Sequence, residues 1–225
     1  MASPDGAGPT FAPRNRRGLR WRWIGVAVAA GLALAIAVGH AAILEWMGSH
    51  MVVNEPLAPA DVLAVTFDSR EGGLIEIADL YHEGWARAVV VIEPSLNSME
   101  LELRRRGVRF SDPAVAALEQ LGIPRASITA LDSGDGGTTE GAQALTEWLG
   151  RGPMRRAIVV VSQTHGRRFG RTLRRGWPTG WPQPIVRTSR LGPFRPDGWW
   201  KTRTQLRDGL VELEKLALDY VSHPL

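Results

Sequence analysis

The longest run of apolar positions in the chain lies near its start, from residue 24 to residue 44, and contains no charged residue. At a rise of about 1.5 Å per residue, a helix of this length crosses the roughly 30 Å hydrocarbon core of a bilayer. Trp21, Trp23 and Trp46 flank the run, as aromatic side chains do at membrane interfaces. The pattern predicts a transmembrane helix over residues 24–46.

The residues on either side of this run predict its orientation. Arginines precede it, and Glu45 follows it. The arginines are Arg14, Arg16, Arg17, Arg20 and Arg22. Because basic residues stay on the cytoplasmic side, we expect the N-terminus inside and the main domain outside the plasma (inner) membrane. A cleaved signal peptide is the alternative, but its apolar core spans only about 7–15 residues, which favours an uncleaved anchor.

Beyond residue 60, short Val- and Ile-rich runs alternate with segments of helical periodicity. We predict strands over residues 61–67, 88–93, 127–131, 156–162 and 184–189, and helices over residues 72–85, 111–123, 138–150, 165–175 and 198–221. Strands that are apolar on both faces and separated by helices are typical of a parallel sheet covered on both sides. The pattern predicts an α/β domain over residues 61–225, a Rossmann-like three-layer sandwich with a mostly parallel sheet.

Five smaller features complete this outline. Residues 1–23, rich first in Gly, Pro and Ala and then in arginine, are predicted to be disordered, and residues 47–60 to form a linker. Residues 94–110 fit either an inserted helix or an element at the edge of the sheet. Ser111 is the candidate N-cap of the helix that follows. An apolar stripe on the final helix is predicted to face the core: Leu206, Leu210, Leu213, Leu216, Ala217 and Tyr220.

Charge and composition narrow the choice of partners. The net charge of +4 and the pI of about 10.3 favour anionic partners, such as phospholipid surfaces, phosphates or nucleic acid, without choosing among them. The chain has no cysteine, which excludes disulfides, thiolate metal sites and a cysteine nucleophile. Its histidines are not paired at ligand spacing, so no metal site is predicted. No aromatic residues interleave with the basic ones at stacking spacing, so nucleic acid is not an expected partner, and no motif identifies a cofactor.

The loop DSGDGGTTEGA at residues 132–142 joins a predicted strand to a predicted helix. In an open parallel sheet, ligands bind at this end of the strands, where helix N-termini attract anions. The candidate ligand-binding residues are Ser133, Gly136, Gly137 and Thr138. Glu140 is a candidate catalytic acid or base. The alternative is a flexible, capped loop in which Glu140 only stabilises the helix dipole.

The segment SQTHGRRFG at residues 162–170 follows the most clearly buried of the predicted strands. His165 and Arg168 are three residues apart and share a helical face, which suits proton transfer by His165 beside an anion bound by Arg168. Ser162 is a further ligand-binding candidate. The alternative is a capped helix with a solvated basic face. In either case four arginines are expected at the surface: Arg167, Arg171, Arg174 and Arg175.

The loop after the first predicted strand carries Asp68, Arg70 and Glu71, which are either site residues or ordinary loop charges. A Ser–His–Asp triad of Ser162, His165 and Asp68 can be drawn. The strained Gly-x-Ser-x-Gly turn that presents the serine in such hydrolases is missing, which argues against a hydrolase of this type.

The order of these segments resembles the YdcF-like family of SanA- and ElyC-like envelope proteins, over about residues 60–221. Three matches carry the resemblance: a Leu-Gly-Ile-Pro turn at 121–124; Thr138, Glu140 and Ala142 in a Thr-x-Glu-x-Ala segment; and Ser162, His165 and Arg168 in a Ser-x-x-His-x-x-Arg segment. The chain departs from the family in the loops after its first two strands. Gly137 and Gly141 replace two asparagines, and Leu74 stands where the family has an arginine at the start of its first helix.

The resemblance implies a Rossmann-like domain with a pocket at the strand ends and a role in the cell envelope, in the context of peptidoglycan or lipid-linked precursor metabolism. We therefore expect a single-pass membrane protein, in contact with the lipid bilayer, that binds an anionic cell-wall or lipid-linked metabolite, with or without acting on it. The alternative is a non-catalytic envelope factor that works through protein contacts.

Overall fold

The computed structural model describes residues 16–108, 112–134 and 137–224. Its helices are α1 (Arg16–Met51), α2 (Arg70–His82), α3 (Ser98–Arg105), α4 (Pro113–Gln120), α5 (Thr138–Gly150), α6 (Gly166–Gly176) and α7 (Arg203–Ser222). Its strands are β1 (Val62–Thr66), β2 (Ala88–Glu93), β3 (Ile128–Asp132), β4 (Ala157–Val161) and β5 (Ile185–Thr188). The chain divides into two compact units, one up to Ile43 and one from Leu44 onward.

Helix α1 contains the predicted membrane-spanning segment. The stretch Trp21–Met51 reaches a mean hydropathy of 2.2 and is long and apolar enough to cross a membrane. The helix begins at Arg16, so part of the segment 1–23 that we predicted to be disordered is helical; residues 1–15 lie outside the described part. Arginine is a good helix former, which lets the helix extend into the basic stretch.

The residues predicted as a linker, 47–60, belong to the second unit rather than tethering it. Helix α1 continues to Met51, whose side chain is fully buried. After it the chain runs beside β5, where the Thr188 N–H donates a hydrogen bond of 2.7 Å to the carbonyl oxygen of Val53. Tertiary packing therefore orders a segment whose local sequence predicts no structure.

The strands form a five-stranded sheet in the order β3-β2-β1-β4-β5. Every pairing is parallel, and Val62 at the start of β1 lies opposite Ala88 of β2 and Ala157 of β4. All residues of β1 and β4 are buried, which explains their unbroken apolar runs. The predicted α/β fold with a parallel sheet is thus confirmed.

Helices cover both faces of this sheet. On one face α2 and α4 pack on alternate strand residues, through side chains such as Ile77 and Leu118. On the other face α5 and α6 pack on the intervening residues, through side chains such as Leu145 and Phe169. The result is the predicted three-layer sandwich, and all four helices run back from the carboxyl ends of strands.

The ambiguous segment at residues 94–110 contains helix α3. Asn97 caps it by accepting hydrogen bonds of 3.0 Å from the N–H groups of Met99 and Glu100, and the Glu100 carboxylate accepts one from the Asn97 N–H at 2.8 Å. This reciprocal pair is a capping box. At α4 the cap is Asp112, whereas the predicted cap, Ser111, lies outside the described residues.

Helix α7 begins at Arg203 instead of residue 198. Gly198 is left-handed, with a φ of 107°, and residues Trp199–Lys201 form a separate 3-10 turn. The predicted apolar stripe is correct for the residues of α7 that are buried or half-buried: Leu206, Leu213 and Leu216. It is wrong for the three that are exposed: Leu210, Ala217 and Tyr220.

The stripe fails because polar side chains occupy part of the inward face of α7. Glu212 is 7% exposed, and the Asp219 side chain is 8% exposed. Both carboxylates pair with arginines of α6, and Arg171 lies 2.7 Å from Asp219. Arg171 is itself buried, so the expectation that it lies at the surface is wrong. A pattern of apolar residues alone cannot find a face that is held by ion pairs.

Candidate functional site

A cleft of about 1030 Å³ lies at the carboxyl ends of β1 and β4. The chain passes from β1 outward to β2 and β3 and then returns to place β4 on the other side of β1. Ligands of open α/β sheets bind at such a reversal of strand order, because the loops diverge there and leave a crevice. The walls come from the loops after β1, β4 and β5, from the first turn of α5 and from α7.

Four side chains from three helices meet in this cleft. Arg168 of α6 donates from Nε to Glu212 Oε1 at 2.6 Å and from Nη1 to Thr138 Oγ1 at 2.6 Å. His165, the N-cap of α6, lies with Nδ1 2.9 Å from Glu212 Oε1 and with Nε2 3.3 Å from Thr138 Oγ1. These contacts join a hydroxyl, an imidazole, a guanidinium and a carboxylate in one network. We call it the cleft network.

His165 Nδ1 lies 2.9 Å from two groups of opposite character: Glu212 Oε1, which accepts a hydrogen bond, and Arg168 Nη2, which donates one. The Thr138 oxygen accepts a hydrogen bond from Arg168, so its own proton is left to donate to His165 Nε2. In that arrangement the ring carries its proton on Nδ1 and donates it to Glu212, whereas the contact with Arg168 favours the other tautomer, in which Nδ1 accepts and Nε2 carries the proton. A carboxylate on one ring nitrogen and a hydroxyl on the other is an arrangement in which the imidazole can take up a proton at Nε2.

Glu212 is the member of this network that sequence reasoning missed. Burial raises the pKa of its carboxyl, but hydrogen bonds from His165 and Arg168 and the charges of the two groups outweigh burial and lower the pKa to about 2. Glu212 is therefore ionised at neutral pH. The available signal was its spacing on α7, one turn before the buried Leu216, which places it on the inward face.

Three helices begin at the cleft without a side-chain cap. The residues before α2, α5 and α6 are Ser69, Gly137 and His165, and none of their side chains accepts a hydrogen bond from the first turn. The helices α3, α4 and α7 do have such caps: Asn97, Asp112 and Thr202. The first N–H groups of a helix have no partner within the helix, so uncapped starts at a cleft favour an anionic ligand there.

The loop after β1 brings Arg70 to the cleft at the start of α2. Among the described residues Arg70 is the non-glycine residue with a positive φ, 51°. Such a backbone conformation is unfavourable for a side chain and is found where the surrounding structure enforces it. Helix α2 begins at Arg70, earlier than the predicted residue 72.

Of the other predicted site residues, Ser133 and Gly137 line the cleft, whereas Glu140 does not. Ser133 lines the cleft and donates from Oγ to the Glu93 carbonyl oxygen at 2.9 Å, and Gly137 lines it as the N-cap of α5. Gly136 lies outside the described residues. Glu140 is exposed and is absent from the described lining, because its carboxylate folds back over Gly137.

Ser162 lines the cleft, but its contacts do not form the triad drawn from the sequence. Its N–H donates to Asp68 Oδ2 at 3.3 Å. The carboxylate partner of His165 is Glu212 instead. Among the residues that the structure describes, no group of three or more His, Cys, Asp or Glu side chains is arranged to hold a metal ion.

The remaining arginines of α6 hold the domain together rather than extending the site. Arg171 and Arg175 pair with Asp219, Arg174 pairs with Glu55, and Arg167 donates to the carbonyl oxygen of His50 at 3.0 Å. The arginines of the basic segment after β4 therefore have different roles. Arg168 faces the cleft, and its neighbours tie α6 to flanking segments.

In comparisons with protein-family models and with curated proteins, the chain matches no family model and no curated protein.

Proposed function

We propose that this protein is a membrane-anchored envelope protein whose α/β domain, outside the cytoplasm, binds an anionic small molecule in the cleft and exchanges a proton with it through His165. The observation that carries the proposal is the cleft network, which lies where three uncapped helices begin. The resemblance to the YdcF-like family motivates the envelope context and a cell-wall or lipid-linked metabolite as the ligand.

The anion-binding part of the proposal follows from the donors around the cleft. The helix starts supply N–H groups and a partial positive charge. Arg168 is held in place by Glu212, and its contacts to Glu212, Thr138 and His165 use four of its five N–H donors, which leaves one on Nη1. Arg70, Arg207 and Lys215 line the same cleft, but so do Asp68, Glu71 and Asp208, so the preference for an anion rests on the oriented donors and not on net charge. An anion that reaches Arg168 therefore meets donors that are already oriented.

The proton-transfer part rests on the pair of His165 and Glu212. Because Glu212 stays ionised, it stabilises the positive charge that forms when the imidazole accepts a proton at Nε2. In this structure Nε2 contacts the Thr138 hydroxyl. A ligand hydroxyl or phosphate oxygen that replaces or approaches this hydroxyl is within reach of the same nitrogen, which makes His165 the acid or base of the site.

The binding proposal is tested by nuclear magnetic resonance on the full chain in detergent micelles, with labelled histidine and inorganic phosphate as the probe. We expect the ring signals of His165 to shift saturably with phosphate, whereas those of His82, which contacts the Leu121 carbonyl oxygen, stay in place. The Arg168→Gln variant is expected to weaken the response at least ten-fold, and Arg151→Gln, at the exposed end of α5, to leave it unchanged. A His165 signal that does not respond to phosphate would overturn the proposal.

A non-catalytic envelope factor is the second candidate, because the Gly-x-Ser-x-Gly turn is missing and Arg168 is paired with Glu212. Complementation of an envelope-defect phenotype separates the two candidates. The proton-transfer proposal expects His165→Ala to lose complementation at an unchanged protein level, whereas the second candidate expects His165→Ala to complement fully. Glu140→Ala serves as the matched control, since Glu140 lies outside the described lining of the cleft.

A further inference from the structure

The cleft is lined by both polar and apolar side chains, whereas a small inorganic anion needs only the polar ones. Beside the cleft network, three apolar side chains line the cleft and remain exposed: Phe67 (64%), Leu191 (53%) and Val211 (43%). Single exposed apolar residues are normal on a protein surface, but three that line the same crevice indicate a binding surface. We call these three residues the apolar wall.

Resting on the proposed function, we infer that the ligand is an amphiphile, with an anionic phosphate group at the cleft network and an alkyl or isoprenoid chain on the apolar wall. The size of the cleft agrees with this inference. Its volume of about 1030 Å³ is at the upper end of the range, roughly 300–1,000 Å³, in which proteins hold extended organic ligands. A bare phosphate fills only a small part of it.

The loop that carries Leu191 is fixed in place. The Ser189 hydroxyl donates to the Leu191 carbonyl oxygen at 2.9 Å. A Cβ on Gly72 would overlap that same carbonyl oxygen, so only glycine lets the first turn of α2 approach the loop so closely. Gln163 holds the next part of the loop by accepting a hydrogen bond from the Phe194 N–H at 3.1 Å. The loop therefore presents Leu191 from a defined position.

Residues beside the cleft also pack against the last residues of α1, which belong to the same unit. Phe194 lines the cleft and also packs in a cluster with Met51, the last residue of α1, and Trp199. The Trp199 indole N–H donates to the carbonyl oxygen of Leu44 at 2.7 Å. Phe194 and Trp199 are thus held against the C-terminal end of α1, from Leu44 to Met51.

The test compares three probes on the full chain in detergent micelles: inorganic phosphate, hexyl phosphate and hexanol. Binding is read from the His165 ring signals. Since each buried methylene contributes about 0.8 kcal/mol, we expect hexyl phosphate to bind at least ten-fold more tightly than inorganic phosphate. Hexanol alone is expected not to shift His165. The Phe67→Ser and Leu191→Ser variants are expected to remove the advantage of hexyl phosphate and to leave inorganic phosphate binding as it was.

The control is Leu218→Ser, an equally exposed leucine on α7 outside the described lining of the cleft. Equal affinity for the two phosphates would overturn the inference and leave the proposed function standing. An advantage of hexyl phosphate that survives both wall variants would also overturn it, because micelle partitioning would then explain the difference. Failure of both phosphates to bind would reject the proposed function itself, and the inference with it. Retained phosphate binding shows that the variants are folded.

Discussion

At the scale of single residues, Glu212 carries a buried negative charge that is in contact with two other side chains. His165 and Arg168 both contact its Oε1, at 2.9 and 2.6 Å. A buried ion pair of this kind adds little stability over an apolar pair, but removal of one partner leaves the other charged and buried. Loss of the Glu212 charge is therefore expected to affect both the folded state and the orientation of His165.

The lowered pKa of Glu212 predicts a dependence of stability on pH. Its carboxyl titrates near 4.5 when unfolded and at about 2 when folded, so the stability it contributes is complete above pH 5 and is lost as the pH falls toward 2. The difference in unfolding free energy between the wild type and Glu212→Gln should be on the order of 3 kcal/mol at pH 7 and should shrink toward pH 2. Thermal unfolding of the full chain in detergent measures it. Glu214→Gln, an exposed neighbour, should show no such trend.

The carboxyl of Glu93, at the end of β2, should make stability depend on pH with the opposite sign. Burial, with the nearby Asp112 carboxylate, raises the pKa of Glu93 from 4.5 to about 7. Ionisation is thus less favourable in the folded protein, and the unfolding free energy should fall as the pH rises from about 4.5 to 7. We expect Glu93→Gln to gain stability over the wild type at pH 8 but not at pH 4. If Glu119→Gln, on the exposed side of α4, gains as much stability at pH 8, the Glu93–Asp112 pair is not the cause.

The sequence predicted the position of some residues of the cleft network and not of others, for a physical reason. His165, Arg168 and Thr138 follow directly after strands or begin helices, so their position at the cleft depends only on local pattern. Glu212 reaches the cleft from the middle of a helix, and its partner lies 44 residues away in the chain. Glu140 satisfied the local pattern, yet its side chain folds back over Gly137. Side-chain direction within the first turn of a helix cannot be read from spacing.

At the scale of elements, the approach of α2 to the loop after β5 depends on one glycine. Gly72→Ala would place a methyl group on the Leu191 carbonyl oxygen, which is backbone and cannot rotate away. We expect a loss of about 1–3 kcal/mol in unfolding free energy, read from thermal unfolding of the full chain. Gly150→Ala, in open space at the end of α5, should be neutral or stabilising. Equal stability of the two variants would contradict the described packing.

The elements themselves were largely predictable. The order and type of the strands and of α5 follow from runs of Val and Ile separated by helical periodicity, because buried parallel strands have no polar face. The errors fall at helix starts. The start of α7 shifted because Gly198 adopts a left-handed conformation, and α2 began earlier because a strained Arg70 opens it. Both depend on tertiary contacts that local propensity does not contain.

At the scale of the whole molecule, the distribution of arginines around α1 makes orientation testable. We expect a fusion of alkaline phosphatase after residue 60 to be active and a fusion of green fluorescent protein at the same place to be dark, because arginine-rich flanks stay in the cytoplasm. The reverse result would place the cleft in the cytoplasm and remove the envelope context from the proposed function. Exchange of Arg20 and Arg22 for glutamate should weaken this preferred orientation, which lowers the alkaline phosphatase activity and raises the fluorescence.

The ion pairs that hold α7 also set the order in which the site is assembled. Helix α7 leaves the ribosome after all five strands and after α6, so the sheet and its two helical layers are already synthesised when Glu212 emerges. Until then Arg168 and Arg171 have no carboxylate from α7. The cleft network therefore forms only when translation has passed α7. A nascent chain that has not reached that point lacks the carboxylate that joins His165 and Arg168.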